Sequence, residues 1–356
     1  MPSPPTRHRI GPHPRRFARG HAVVLVLLLA LSLAGCGHGR AGNQTPAGAA
    51  SSSATATSVA PPATSTTTTT RRATTTATTR GKAAAPARII VVVEENHSAN
   101  QILGNPAAPF INQLASRGTL LRNYFAVTHP SLPNYLAMTS GSTQGISNDC
   151  PRCTLPADNL GAQLERAGIG WKAYAQSLPG PCSNVPSAGD YARKHEPFLY
   201  YDNVRDHPTC AARVVPATQL DADIAAGTLP SFAFVTPDLR HDMHGDGGES
   251  DEQLVATADA WLRNLYERLV ASPAWRQDTR LVVTFDEGGG AEGCCGGLAS
   301  GGHVLTIVTG PRVPSGQDGR AYSHYSLLRS IEANFGLPYL GHAADPASAT
   351  IPALAG

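Results

Sequence analysis

Residues 88–97 read RIIVVVEENH, a run of branched apolar side chains that ends in two carboxylates, an amide and an imidazole. A continuous β-branched run is typical of a strand buried on both faces of a parallel sheet. Three later runs have the same character, at 232–236, 281–285 and 304–308. Together these four runs predict the strands of one mostly parallel sheet.

Helical patterns lie between the predicted strands. Residues 253–272 place apolar side chains on one face, and Ser250 with Gln253 forms a plausible capping box before them. Another apolar face spans 327–335, and Gly336 is suited to end that helix. Strands alternating with helices predict an α/β fold, a three-layer α/β/α sandwich with a mostly parallel central sheet.

Acidic side chains follow each of the first three runs, and imidazole side chains follow the first two. Ligands gather at the carboxyl ends of parallel strands, so these side chains should meet at one edge of the sheet. Carboxylates that converge repel each other unless a cation lies among them, so a divalent metal ion is the economical explanation. The side chains in question are Glu95 and Asn96, then Asp242 and His244, then Asp286 and Glu287.

Ser131 stands just before a predicted helix, in the sequence THPSLPNY of residues 128–135. Such a hydroxyl commonly caps the free amide groups of the helix. The same position also suits a nucleophile that carries phosphate, because the positive end of the helix would face the phosphoryl oxygens. The spacing alone leaves both interpretations open.

Charge is distributed unevenly along the 356 residues. Residues 1–87 contain ten Arg or Lys and no Asp or Glu, whereas residues 88–356 contain 18 basic and 26 acidic residues, a formal charge of −8. An acidic domain is a poor partner for nucleic acid, since such binding depends on cationic surface. We therefore expect no nucleic-acid partner.

The first 87 residues predict an export signal followed by a linker. A basic flank and the short apolar run 22–33 are typical of a secretory signal peptide in residues 1–36, which ends in a sequence resembling the lipobox of bacterial lipoproteins, with Cys36 as the lipidated residue. An ordinary cleavage site is the alternative. Residues 37–87 are rich in Thr, Ala and Ser and predict a disordered linker before a catalytic domain at 88–356. We expect an exported protein, anchored by lipid to the outer face of the cytoplasmic membrane or secreted.

Six cysteines remain beyond Cys36. An even number in an exported chain favours disulfides, and the pairs that we expect are Cys150 with Cys153 and Cys182 with Cys210. A zinc site that uses the Cys-x-x-Cys spacing is the alternative.

Six short motifs together resemble one known family, the phosphoesterases of the secreted acid phosphatase and bacterial phospholipase C type, within the alkaline phosphatase-like superfamily. The resemblance covers residues 88–340, in order. Its motifs are Glu95-Asn96-His97-Ser98, His129-Pro130-Ser131-x-Pro133-Asn134-Tyr135, Thr236-Pro237-Asp238-x-x-x-Asp242-Met243-His244, Asp286-Glu287, Gly302-His303 and His324-Tyr325-Ser326-Leu327-Leu328.

The resemblance implies an alkaline phosphatase-like fold and a set of site residues. Glu95, Asn96, Asp286 and Glu287 would bind one divalent metal ion together with Ser131, the nucleophile. The identity of the metal stays open among Mg²⁺, Ca²⁺, Mn²⁺ and Zn²⁺. The residues expected to line the phosphate pocket or to protonate the leaving group are His129, Asp242, His244 and His303.

The implied activity is phosphomonoester hydrolysis through a phosphoserine, with a small-molecule or lipid phosphate ester as substrate. Two alternatives are a phospholipase C-like phosphodiesterase acting on lipid headgroups and a non-catalytic lipoprotein that binds phosphate-bearing ligands. Six further residues receive only a core or surface role: Tyr135, Trp171, Lys172, Arg193, Lys194 and His195.

Overall fold

The computed structural model describes residues 86–355. The predicted signal peptide, Cys36 and residues 37–85 of the predicted linker lie outside the described residues and stay predictions. No helix within the described range is both long enough and apolar enough to cross a bilayer.

Eight strands form the central sheet, in the spatial order β10, β2, β9, β8, β1, β7, β3, β6, and β4 pairs with β5 in a small ribbon. All neighbours in the large sheet are parallel except those of β9, which is antiparallel to both β2 and β8. The strands are β1 (Arg88–Glu94), β2 (Thr119–Phe125), β3 (Trp171–Ala175), β4 (Ser187–Ala188), β5 (Tyr191–Ala192), β6 (Val214–Pro216), β7 (Phe232–Thr236), β8 (Thr279–Phe285), β9 (Ile307–Thr309) and β10 (Gly316–Ser323).

Two groups of helices accompany the sheet. Helix α3 contacts α4 and α9, and α8 contacts α2 and α7, as expected for the two helical layers of a sandwich. The helices are α1 (Ala99–Ile102), α2 (Pro109–Arg117), α3 (Ser131–Ser140), α4 (Leu160–Arg166), α5 (Asp202–Arg205), α6 (Cys210–Arg213), α7 (Ala217–Ala226), α8 (Asp251–Ala271) and α9 (His324–Phe335).

The α/β fold with a mostly parallel central sheet is confirmed, and so are most of the elements that define it. Strand β1 is buried on both faces along its apolar run. Helix α8 begins at the capping box of Ser250 and Gln253, and α9 ends at Gly336, which adopts a left-handed φ of 67°. The run at 304–308 was predicted as one strand, but the strand β9 begins at Ile307.

Three disulfides join the six cysteines of the domain. The predicted pairs Cys150–Cys153 and Cys182–Cys210 are confirmed, and the adjacent Cys294 and Cys295 form the third. The zinc alternative is therefore wrong, because the sulfur atoms that it requires are bonded to each other.

The end of α3 is held by a close approach between Gly141 and Gly341. Gly141 adopts a φ of 71°, and a Cβ atom at this position would lie 2.1 Å from the Leu340 carbonyl oxygen. The amide of His342 donates to the Gly141 carbonyl oxygen at 2.7 Å, which ties α3 to the segment that follows α9. Only a residue without a side chain fits here.

We expect Gly141→Ala to lower the free energy of unfolding by about 3 kcal/mol, from a strained φ and from the backbone displacement that the new methyl group forces. Gly145→Ala is the matched control, because Gly145 has a φ of 73° but open space around its Cα. The control should cost about 1 kcal/mol. Urea unfolding of both variants measures the difference, and equal losses would contradict the role of the close approach.

Candidate active site

Three strand ends meet at one edge of the sheet. Strands β1 and β8 pair in register with Glu94 opposite Phe285, so the residues that follow them lie side by side. The Asn96 amide donates to Asp286 Oδ1 at 3.0 Å, and the Glu95 amide donates to the Asp242 carbonyl oxygen at 2.7 Å. The acidic clusters after β1, β7 and β8 thus converge, as their positions after parallel strands predict.

Ser131 is the first residue of α3 and is 1% exposed. Its hydroxyl donates to Glu95 Oε2 at 3.0 Å and lies 3.4 Å from Glu287 Oε1. Pro130 occupies the N-cap position, and no side chain caps the helix from there. The interpretation of Ser131 as a capping hydroxyl is therefore wrong, since its oxygen faces two carboxylates instead of the helix amides.

Carboxylates crowd around the Ser131 hydroxyl. Burial, together with the negative charges of Glu95 and Glu287, raises the pKa of Asp286 well above its usual value. Two buried oxygens in this cluster, Asn96 Oδ1 and Asp286 Oδ2, have no hydrogen-bond partner among residues 86–355. Buried acceptors without donors are costly. Oxygen atoms arranged in this way fit a hard divalent cation, which would satisfy them and offset the repulsion.

His129 lies above this cluster, at a surface cleft of about 380 Å³ that Asn96, Glu287, Gly288 and Gly289 also line. Its Nδ1 atom bonds to Glu287 Oε2, and its Nε2 atom lies 2.8 Å from the Gly290 carbonyl oxygen. Both partners are acceptors, so both ring nitrogens donate only when the ring is an imidazolium. The ring is 45% exposed and can therefore meet a substrate that enters the cleft.

His195 lies beneath the cluster and bridges two carboxylates. Its Nε2 atom is 3.1 Å from Glu95 Oε1, and its Nδ1 atom is 3.1 Å from Asp242 Oδ2. Burial favours the neutral ring, but Glu95 outweighs it and raises the pKa of His195 to about 10. Burial likewise opposes the charge of Glu95, yet His195 lowers the pKa of that carboxyl to about 2. The Tyr135 hydroxyl adds a 2.6 Å bond to Glu95 Oε1, which fixes the carboxylate.

Lys194 brings a positive charge to the part of the site that contains His244 and Asp149. Its ammonium group lies 3.1 Å from His244 Nε2 and 3.2 Å from Asp149 Oδ2. The other oxygen of Asp149 accepts from the Leu132 amide at 3.0 Å, so one carboxylate connects Lys194 to the start of α3. His244 Nδ1 lies 2.9 Å from the Gly245 carbonyl oxygen. His244 thus donates from Nδ1 and accepts from Lys194 at Nε2.

A second set of candidate metal ligands overlaps the first. Glu95, His195 and His244 offer ligand atoms that all lie within 4.8 Å of one another. In this arrangement, however, each ring nitrogen of His195 already lies 3.1 Å from a carboxylate oxygen, and the Lys194 ammonium already contacts His244. The cluster around Ser131 offers oxygen atoms alone, the ligands that a hard divalent cation prefers, and two of them have no hydrogen-bond partner among residues 86–355, so it fits such a cation better.

The structure brings together all but one of the site residues predicted from the sequence. His303 Nε2 bonds to the Arg122 carbonyl oxygen at 2.7 Å, and its ring packs against Phe125 with 5.3 Å between the ring centroids. Its side chain thus contacts strand β2 and its end, rather than Ser131 or the carboxylates, and a catalytic role for it stays a prediction. The residues that meet are Glu95, Asn96, His129, Ser131, Asp242, His244, Asp286 and Glu287.

Three site residues received no functional role from the sequence: Tyr135, Lys194 and His195. Tyr135 could have been found, because it lies four residues after Ser131 and therefore on the same face of the helix. Lys194 and His195 belong to a 3₁₀ turn, Arg193–His195, that follows no long strand. Nothing in the local sequence distinguishes this turn from a charged surface loop.

Comparisons with known proteins agree with this geometry. A sequence model described as the Phosphoesterase family matches residues 103–338. The chain is 39% identical to a phosphatidylinositol-3-phosphatase of Mycobacterium tuberculosis over 253 residues, which cover 71% of this chain and 78% of that relative. It is 33% identical to an acid phosphatase of Aspergillus fumigatus over 241 residues, which cover 64% of this chain but only 51% of the fungal protein.

More distant similarities are to a plant phospholipase C and to a solved structure. A phospholipase C of Arabidopsis thaliana, described as non-specific, is 26% identical over 227 residues, which cover 63% of this chain and 39% of the plant protein. Among solved structures, a protein in the alkaline phosphatase superfamily from Vibrio parahaemolyticus superimposes with a TM-score of 0.52 at 12% identity, covering 74% of this chain and 71% of that one. At this identity the structural match supports the fold alone, and the predicted alkaline phosphatase-like fold is confirmed.

Proposed function

Because the chain belongs to the Phosphoesterase family and is a phosphoric ester hydrolase, we propose that it hydrolyses phosphomonoesters in two steps through a phosphoserine at Ser131. One observation carries the proposal. The Ser131 hydroxyl is held between Glu95 and Glu287 at the positive end of α3, beside buried oxygens that have no donor among the described residues.

One divalent metal ion, Mg²⁺, Ca²⁺, Mn²⁺ or Zn²⁺, is part of this proposal. When bound, it would neutralise charge on the phosphoryl oxygens and favour the ionised serine hydroxyl. The unsatisfied oxygens of Asn96 and Asp286 support this assignment. The residues that would hold it are Glu95, Asn96, Ser131, Asp286 and Glu287.

In the first step Ser131 Oγ attacks phosphorus, and the bond to the leaving alcohol breaks. The serine proton is released toward the carboxylates that the hydroxyl faces, Glu95 and Glu287. His129 stands at the open cleft with Nε2 on a backbone carbonyl, where it can turn to give the departing alcohol a proton. Water then attacks the phosphoserine, releases phosphate and restores the hydroxyl.

The positive charge of Lys194 would bind the phosphoryl oxygens. Lys194 is held by Asp149 and His244. An ammonium group in a largely buried position stabilises the charge that develops in the transition state more strongly than it would in water. Asp242 has a positioning role, because it contacts both the His195 ring and the His244 amide.

We assign the substrate class as phosphomonoesters, including those of lipid headgroups. The relatives that support this are the mycobacterial phosphatidylinositol-3-phosphatase and the fungal acid phosphatase, although the chain spans only about half of the fungal protein. The more distant phospholipase C supports diester hydrolysis as the alternative. A panel of p-nitrophenyl phosphate, phosphatidylinositol 3-phosphate, bis(p-nitrophenyl) phosphate and phosphatidylcholine separates the two, and faster turnover of the diesters would exclude our assignment.

Metal removal tests the proposal as a whole. Prolonged chelation of the purified full-length chain should reduce hydrolysis of p-nitrophenyl phosphate at least about a hundredfold, and one of the four proposed metals should restore it. A circular dichroism spectrum that does not change on chelation serves as the control for unfolding. Full turnover after chelation, with no metal detected by elemental analysis, would contradict the metal-dependent mechanism.

We further propose that the protein is exported and anchored through a lipid on Cys36. Lipidation would place the domain within reach of membrane phosphate esters, at the end of the predicted linker. Cells that produce the full chain should hold it in the membrane fraction, whereas Cys36→Ser should release it to a soluble extracytoplasmic fraction. Membrane retention of the Cys36→Ser variant would argue against the anchor.

A further inference from the structure

A cavity of about 940 Å³ opens between α7 and α8, beside the carboxyl ends of three strands. Gln176 and Ser177 follow β3, Pro216 ends β6 and His241 follows β7, and all four line it. Neither Ser131 nor any proposed metal ligand is among the lining residues. A space of this size falls in the range of small-molecule sites.

A buried carboxylate fixes one wall of this cavity. Asp238, whose side chain is 4% exposed, accepts from the Ser177 hydroxyl at 2.6 Å and from His241 Nδ1 at 2.6 Å. Ser177 adopts a φ of 58°, which is uncommon for a residue with a side chain, and its bond to Asp238 holds it there. The side-chain amide nitrogen of Gln176 also lies 3.1 Å from His241 Nδ1. With Nδ1 engaged in this way, Nε2 is the ring nitrogen left to hydrogen-bond a ligand. The structure gives Nε2 no hydrogen-bond partner among residues 86–355.

The facing wall combines an aromatic ring with amide and hydroxyl groups from α8. Trp261 is partly buried, with its ring centroid 6.4 Å from that of His241. Asn264 and Thr257 lie on the same helix and also line the cavity. An apolar ring face beside hydroxyl and amide groups suits a ligand with one apolar face and a polar edge.

The charges along the cavity are already paired. Arg268 contacts Asp221 with 2.6 Å between Nη1 and Oδ1, and Asp238 is taken up by His241 and Ser177. A phosphate or other anion would have to compete with Asp221 for the guanidinium group. Two carboxylates, those of Asp221 and Asp238, accompany the single guanidinium group of Arg268 here, so the cavity disfavours an anion and suits a neutral ligand.

We propose that this cavity binds an uncharged, hydroxyl-bearing ring, a monosaccharide or cyclitol. Its C–H face packs on Trp261, and its hydroxyl groups bond to Asn264 and to His241 Nε2. The site is independent of the proposed phosphoserine chemistry, although His241 directly precedes Asp242 of the active site.

Isothermal titration of the full-length chain with glucose, mannose, N-acetylglucosamine and myo-inositol tests the proposal. We expect at least one of them to bind saturably, and Trp261→Ala and Asn264→Leu each to weaken binding about tenfold or more. Glu267→Gln is the matched control, since Glu267 is exposed on the same helix and does not line the cavity. All three variants should hydrolyse p-nitrophenyl phosphate as the unaltered chain does, which also verifies that they fold.

Any of three results would overturn the proposal. One is the absence of saturation by all four compounds at about 100 mM, well above the range of weak specific sites. Another is binding that persists at full strength in Asn264→Leu, a variant that leaves the helix and its packing in place, whether or not Trp261→Ala folds. Inorganic phosphate that competes with the sugar in the Ser131→Ala chain would likewise exclude a neutral-ligand site.

Discussion

Ser131→Ala should lower kcat for p-nitrophenyl phosphate by at least about a thousandfold, because the variant lacks the oxygen that we propose bonds to phosphorus. The Michaelis constant should change much less, since Lys194 and the proposed metal would still bind the phosphoryl group. A radiolabelled substrate should leave acid-stable phosphoserine on the unaltered chain after rapid quenching, and none on the variant.

Ser140→Ala is the matched control for this substitution. Ser140 is buried at the other end of the same helix, where its hydroxyl bonds to the Leu136 carbonyl oxygen at 2.8 Å. Loss of that bond should cost stability of about 1 kcal/mol and leave kcat within about twofold. If Ser131→Ala retained a tenth of the original kcat, the phosphoserine mechanism could not stand.

Asp286→Asn should abolish most of the metal binding while it preserves the shape of the side chain. The new amide oxygen can still accept from the Asn96 amide, as Asp286 Oδ1 does at 3.0 Å, but a negative charge is lost from the proposed metal site. We expect affinity for Mn²⁺, measured by isothermal titration, to fall at least about a hundredfold, with a similar loss of activity at limiting metal.

Glu94→Gln tests whether the loss of metal affinity is specific to Asp286 or follows from the replacement of any buried acid nearby. Glu94 is fully buried, and neither of its carboxyl oxygens has a partner among the residues that the structure describes. Burial, together with the negative charge of Asp242, raises the pKa of this carboxyl well above its usual value. Such a shift favours the uncharged form, which Gln resembles, and Glu94 is not among the proposed metal ligands, so we expect Gln to change little. Metal affinity within about twofold of the original is expected here. Equal losses in the two variants would show that Asp286 has no special part in binding.

Much of the site could be predicted because its acids directly follow buried strands. Residues 88–97 identify both a strand and its polar end, and parallel strands place such ends together regardless of the sequence between them. Ser131 was ambiguous, since a helix start offers a hydroxyl two uses, and only the positions of Glu95 and Glu287 decide between them.

The rest depends on tertiary packing that no local pattern encodes. His195 and Lys194 reach the site from a short turn, and their function follows from contacts with residues 45 to 100 positions away. Strand β10 reads GQDGRAYS, a polar sequence with most side chains exposed, and forms the sheet edge by pairing with β2. Such an edge strand lacks the apolar alternation by which strands are recognised.

Asp149 connects the start of α3 to Lys194. One of its oxygens holds the first turn of α3 and the other holds the ammonium of Lys194. The proposed nucleophile and the cation that we propose binds the phosphoryl group thus share a common anchor. A substitution at Asp149 should therefore disturb both groups at once, the start of α3 and the ammonium of Lys194.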